Sequence, residues 1–122
     1  MDMMTIEECY QRMGGDYAQV LGRLSSAGLV KKFIAKFLDD GSFAELEAAM
    51  EQGSRELAFR AAHTLKGVSA NLGLERLRRS ASELTEMLRP VSETIPSEAA
   101  VMLEQVRWDY QLTTDSIRTF LE

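Results

Sequence analysis

From Glu56 to Gly73 the chain reads ELAFRAAHTLKGVSANLG, with apolar residues spaced as on one face of a helix. With His63 at zero and roughly 100° added per residue, Leu57, Ala58, Ala61, Leu65, Val68 and Leu72 fall within an arc of about 120° to 220°. A stripe of that width is what a helix needs to seat on a core. The other segments must then supply the helices it seats on. His63, the only histidine of the chain, lies diametrically opposite the stripe. Phe59, Arg60, Lys66, Gly67 and Ala70 share that outer face.

An imidazole so placed is not a core residue. It is a poor metal ligand too, because there is no second histidine and the single cysteine, Cys9, is far off in sequence. No CxxCH segment is present for haem attachment. Gly67 follows one turn later, where glycine inside a helix costs about 1 kcal/mol relative to alanine. Its gain is open space beside the ring. An exposed imidazole, with an ordinary pKa near 6.5, is largely neutral at pH 7 and offers a ring nitrogen as nucleophile. A phosphoryl group on it would carry close to two negative charges. Lys66, one turn along the same face, can meet that charge, and Arg60, one turn back, is a second cation within reach. Phosphoryl transfer asks mainly for positioning and charge neutralisation. A bare nucleophile, an ammonium and an open approach suffice if a partner brings the metal.

The run His63-Thr64-Leu65-Lys66-Gly67 with Gly73 closing the helix resembles the signature of histidine phosphotransfer (HPt) domains. The resemblance extends upstream through FIAKFLDDGSFAELEAAMEQG and downstream through LERLRRSASELTEMLR, covering residues 28 to 89 well. It implies that His63 is the phospho-accepting residue, that Lys66 steadies the phosphate and that Gly67 lets the partner approach. It implies response-regulator receiver domains as partners, with a hybrid histidine kinase as a further candidate, docking on apolar surface near the histidine. Phe33, Phe37, Phe59 and Ala70 are the candidates for that surface. Thr85 aligns with a position where some members place a side chain that orients the histidine. No cofactor is expected on this chain, Mg²⁺ being expected on the receiver.

The flanking segments read as further helices. Thr5 with Glu8 has the form of a capping box and starts a short helix ending at Gly14-Gly15. Asp16 can cap a second, to about Ser25. Leu29, Val30, Phe33, Ile34, Phe37 and Leu38 mark a helix at about 28–38, opposite Lys31, Lys32 and Lys36. Ser42 with Glu45 reads as another capping box, and Gly53 stops the helix at 42–52. Ser54 caps the histidine helix at about 54–72. Leu74, Leu77, Ala81, Leu84 and Leu88 give the next stripe, with Arg76, Arg78 and Arg79 as a solvated face. Pro90 to Pro96 is a linker, and the last helix, 97–121, rests on Leu103, Val106, Tyr110, Ile117 and Leu121. Trp108 and Phe120 flank that stripe as packing residues.

With no strand-like alternation, the expected fold is all-α: an antiparallel up-down four-helix bundle with short additional N-terminal helices. Residues 1–122 form a single domain, of which 1–27 are a helical lid and 28–121 the bundle. A net charge of −5 argues against nucleic acid. No apolar run approaches the roughly 20 residues of a membrane span. The acidic N-terminus lacks a secretory leader, so the expectation is a cytoplasmic, free-standing monomer.

The function this implies is a phosphorelay intermediate of two-component signalling. It accepts a phosphoryl group on His63 from a receiver phospho-aspartate and passes it to another receiver, as a carrier without an ATP site of its own. Two alternatives stand beside it: the phosphotransfer domain of a chemotaxis-type histidine kinase, and a non-phosphorylated helical adaptor that docks receiver domains.

Overall fold

The computed structural model describes residues 3–122, and every regular element among them is a helix. In chain order these are α1 (Ile6–Arg12), α2 (Tyr17–Leu24), α3 (Ala27–Phe37), α4 (Ser42–Gln52), α5 (Arg55–Asn71), α6 (Glu75–Met87) and α7 (Glu98–Leu121). Local chemistry sets most of their ends. The Thr5 hydroxyl accepts from the Glu8 amide at 3.1 Å, and the Glu8 carboxylate accepts from the Thr5 amide at 3.0 Å. Asp16 takes the Gln19 amide, and Ser54 the Leu57 amide. These satisfy donors that a helix start leaves free. Ser42 departs from expectation. It is the first residue of α4, it is buried, and its amide donates to Asp40 Oδ2 at 3.0 Å. Asp40 does the work expected of a Ser42–Glu45 box, because the carboxylate two residues back reaches the amide first.

The helix on α5 is flanked by α4 and α6, and α6 packs in turn on α7. Contacts from α7 reach back to α4: Phe43 stacks on Tyr110 with ring centroids 4.4 Å apart, and Arg107 pairs with Glu47 at 2.8 Å. Among the pairs in closest contact, α3 packs on α2 and α7. From α4 onward the helices pack in sequence, α4 on α5, α5 on α6 and α6 on α7, while α3 lies between α2 and α7. On α6 the expected stripe is fully buried, from Leu74 through Leu77, Ala81 and Leu84 to Leu88.

On α5 the buried face differs from the expected one. Ala58, Ala61, Ala62, Leu65 and Ser69 are inside, while Leu57 is 49% exposed and Val68 only half-buried. The core face therefore lies about 45° further round the helix than the apolar wheel placed it. A wheel ranks Leu57 above Ala62 by hydrophobicity. A helix with neighbours on both sides selects instead for small side chains that let those neighbours come close. His63 stays outward, no longer diametrically opposite the centre of the core face.

Two buried polar residues tie the ends together. Arg55, at the start of α5, donates to the carbonyls of Met87, Leu88 and Thr94 and to the Ser92 hydroxyl, which pins the α6–α7 linker. Asp109 on α7 accepts from Arg76 at 2.9 Å and Gln105 at 3.1 Å, so Arg76 is not simply solvated.

The N-terminal helices close the far end of α5. Tyr10 Oη donates to the Leu72 carbonyl at 2.7 Å, the Asp16 amide to Gly73 O at 2.8 Å, and Arg23 Nη1 to Ala70 O at 2.9 Å. The last turn of a helix leaves its carbonyls without partners, and here the lid supplies the donors. Gly73 adopts φ +66°, and a Cβ there would lie 2.8 Å from the Asp16 carbonyl oxygen, so only glycine fits the junction. No described helix is long and apolar enough to cross a membrane.

Candidate functional site

His63 stands exposed in the middle of α5, on a helix whose other side is built into the core. Phe59, one turn earlier and half-buried, lies nearly parallel to it, with ring centroids 6.1 Å apart and planes at 14°. The Arg89 guanidinium, from the end of α6, sits 5.8 Å from the Phe59 centroid. Arg89 is held in turn by Glu86, through Nε at 2.6 Å and Nη2 at 2.9 Å. Those hydrogen bonds hold the Glu86 carboxyl below its usual range, with smaller contributions from the charges of Arg89 and Lys66.

Lys66 is half-buried and makes no ion pair among the described residues. It therefore remains available to an incoming anion, within the field of Glu86. Arg60 is less free: Nη2 pairs with Glu56 at 2.7 Å, one turn back along α5. Both partners are exposed, so the pair is worth only a few tenths of a kcal/mol and can open toward a phosphate. A Cβ built on Gly67 meets nothing within 4 Å. Nothing among the described residues requires glycine there, and the surface beside it is open.

Phe33 is 37% exposed with Lys36 Nζ 5.7 Å from its ring, and it lines a recess of about 470 Å³ with Leu24 and Val68. Ala70 is half-buried, with its carbonyl held by Arg23. Phe37 must be corrected. Only 2% of it is exposed, and its ring lies 5.9 Å from that of Tyr110, so it is a core residue that backs the same recess as Phe33 and presents almost no surface of its own. Thr85 must be corrected as well. It is 1% exposed, and its hydroxyl donates to Ala81 O at 2.7 Å, so its bond is made within α6 and not to His63. Trp108, read as packing, is 71% exposed on α7.

Sequence reasoning missed Glu86 and Arg89. Their three-residue spacing was a visible signal for an ion pair, but nothing local says that the pair lies over Phe59. It also missed Leu57, whose exposed side chain lines a second recess, between α4 and α5, with Arg60 and Thr64. Among the described residues no group of His, Cys, Asp and Glu is placed to hold a metal ion.

The arrangement can receive a dianion at an exposed ring nitrogen, with an ammonium one turn away and no side chain in the path. Searches of curated proteins and of solved structures find no match for the chain. The Hpt domain family model matches residues 29–112, which span α4 to α6, nearly all of α3 and more than half of α7. On that match, and with an all-helical fold that leaves its one histidine bare, the chain belongs to the Hpt domain family.

Proposed function

We propose that His63 is the phospho-accepting residue of a relay between receiver domains. One observation carries this reading: the imidazole is exposed on a helix whose other side is buried, beside a Lys66 with no ion pair among the described residues and a Gly67 that faces open space. Membership of the family makes the chain a histidine phosphotransfer domain, a carrier without its own ATP site. The choice of residue, donor and direction is our reading.

In the proposed step an unprotonated ring nitrogen of His63 attacks phosphorus of a receiver's acyl phosphate in line. The N–P bond forms as the P–O bond to the aspartate breaks, and the aspartate leaves as a carboxylate. The other ring nitrogen keeps its proton. Lys66 holds the equatorial oxygens, with Arg60 joining once it leaves Glu56. The receiver's own acidic pocket supplies the Mg²⁺ that neutralises the phosphate on its side. Phosphohistidine remains reactive, so the same geometry run backwards loads a second receiver.

The recess at Phe33 and the open surface over Gly67 would form the docking face, with Ala70 at its margin. The bundle proper would be α4 to α7 in up-down order. The closure of α7 onto α4 through Phe43–Tyr110 and Arg107–Glu47 supports that arrangement. Residues 1–122 would work as one monomeric module.

The test is phosphoryl uptake from a panel of phosphorylated receivers, by the wild type and by His63→Ala. An acid-labile, base-stable label on the wild type alone supports the proposal. Binding without any label from any receiver would make the chain a helical adaptor instead.

A further inference from the structure

Phe59 does more than cover surface. Resting on the relay reading above, we infer that Phe59 is the positioning residue for the His63 imidazole, and that Arg89 and Glu86 hold Phe59 in place. An exposed histidine samples staggered wells about its first side-chain bond and a broad range about its second. His63 has no hydrogen-bond partner among the described residues to choose one of them. What it has is a ring one turn back, nearly parallel at 14° with centroids 6.1 Å apart. That separation lies within the range in which aromatic pairs attract, and the four-residue spacing puts the two on one helix face.

The geometry suits the chemistry. A ring nitrogen attacks with a lone pair that lies in the imidazole plane, so a group stacked against the ring face leaves the attacking edge open. A group that fixed the ring by hydrogen bonding would have to occupy one of its nitrogens. Phe59 fixes the plane and leaves both nitrogens unengaged.

Phe59 is itself held from the other helix. The Arg89 guanidinium lies 5.8 Å from its centroid, and Glu86 grips that guanidinium through two nitrogens at 2.6 and 2.9 Å. A cation at this distance is attracted to the negative face of the ring. The order of support is Glu86 to Arg89, Arg89 to Phe59, and Phe59 to His63, running from α6 onto α5. Because phosphoryl transfer depends on alignment, a loosened nucleophile slows the step itself more than the encounter.

The experiment is single-turnover transfer from a phosphorylated receiver at increasing receiver concentration, for wild type, Phe59→Leu and Phe59→Tyr. The maximal rate of Phe59→Leu should fall about tenfold, with its half-saturating concentration within about twofold of wild type. Phe59→Tyr, which keeps the ring, should recover the rate to within about twofold. An unchanged maximal rate, or a change confined to half-saturation, overturns the inference and makes Phe59 a docking residue.

Should Phe59→Leu fold poorly, the unmodified wild type supplies the second measurement. Its His63 ring protons should show nuclear Overhauser contacts to the Phe59 ring, and their absence in the folded protein also overturns the inference. A wild type that accepts no phosphoryl group removes the relay reading, and this role with it. A wild type that accepts it, with Phe59→Leu equally fast, removes this role alone.

Discussion

Gly67 is the residue whose cost has no return inside the molecule. A glycine within a helix is less favourable than alanine by about 1 kcal/mol, and a Cβ at this position would touch nothing. Gly67→Ala should therefore raise the free energy of unfolding, by up to about 1 kcal/mol in urea titrations. The same methyl stands where a receiver would approach, so transfer should slow about tenfold, or ~1.4 kcal/mol. A stabilised variant with undiminished transfer would show that the open surface is not used. The motif that pointed to this site was legible because its residues are consecutive turns of one helix. Glu86 and Arg89 were not, since they reach Phe59 only once α6 lies against α5.

At the level of the helices, the two phenylalanines of α3 separate core from surface. Phe37→Ala should cost about 3–5 kcal/mol and lower the thermal midpoint steeply. Phe33 is 37% exposed, so Phe33→Ala should cost under about 1.5 kcal/mol and act on receiver affinity instead. Calorimetry beside a binding titration distinguishes the two, and a large stability loss at Phe33 would return it to the core. Sequence periodicity could not make this distinction, because both residues fall within one broad apolar arc and only the packing of α3 on α2 and α7 decides which faces inward.

Helix ends were the most readable part of the chain. Thr5, Asp16, Ser54 and Gly53 act within a few residues of themselves, so their chemistry is written locally. Arg55 and Asp109 were invisible for the opposite reason. Their partners lie 32 to 39 and 33 residues away for Arg55 and for the Arg76 pair respectively, and a buried charge announces nothing in the sequence until those partners arrive.

Across the whole molecule, one buried thiol, one buried phenol and one half-buried phenol hold their protons more tightly than usual. Burial pushes the Cys9 thiol up to about 11 from an ordinary 9.0, and raises the Tyr10 and Tyr110 phenols as well. Each group holds its proton more tightly in the folded chain than in the unfolded one. Their stabilising contribution is whole below about pH 9 and is lost as the pH climbs toward the folded values. The thermal midpoint should fall by about 5 °C between pH 8 and 10.5, and Cys9→Ala should flatten part of that decline. A midpoint constant over this range would mean that the thiol and phenols ionise as readily in the folded chain as in the unfolded one. The all-helical class was plain from the spacing of apolar residues. The division of labour between α3 and α4 was not, since both carry an apolar face and only the assembled molecule shows which one covers α5.

The bonds by which the N-terminal helices seat on the end of α5 also order events in time. Arg23 finds its carbonyl 47 residues further along the chain, and Tyr10 finds its own 62 residues on. Contacts so distant in sequence form late, because a long loop must close before they reward it. During synthesis α2 can already pack on α3, but the bonds from Tyr10, Asp16 and Arg23 to the end of α5 must wait until residues 70–73 have emerged.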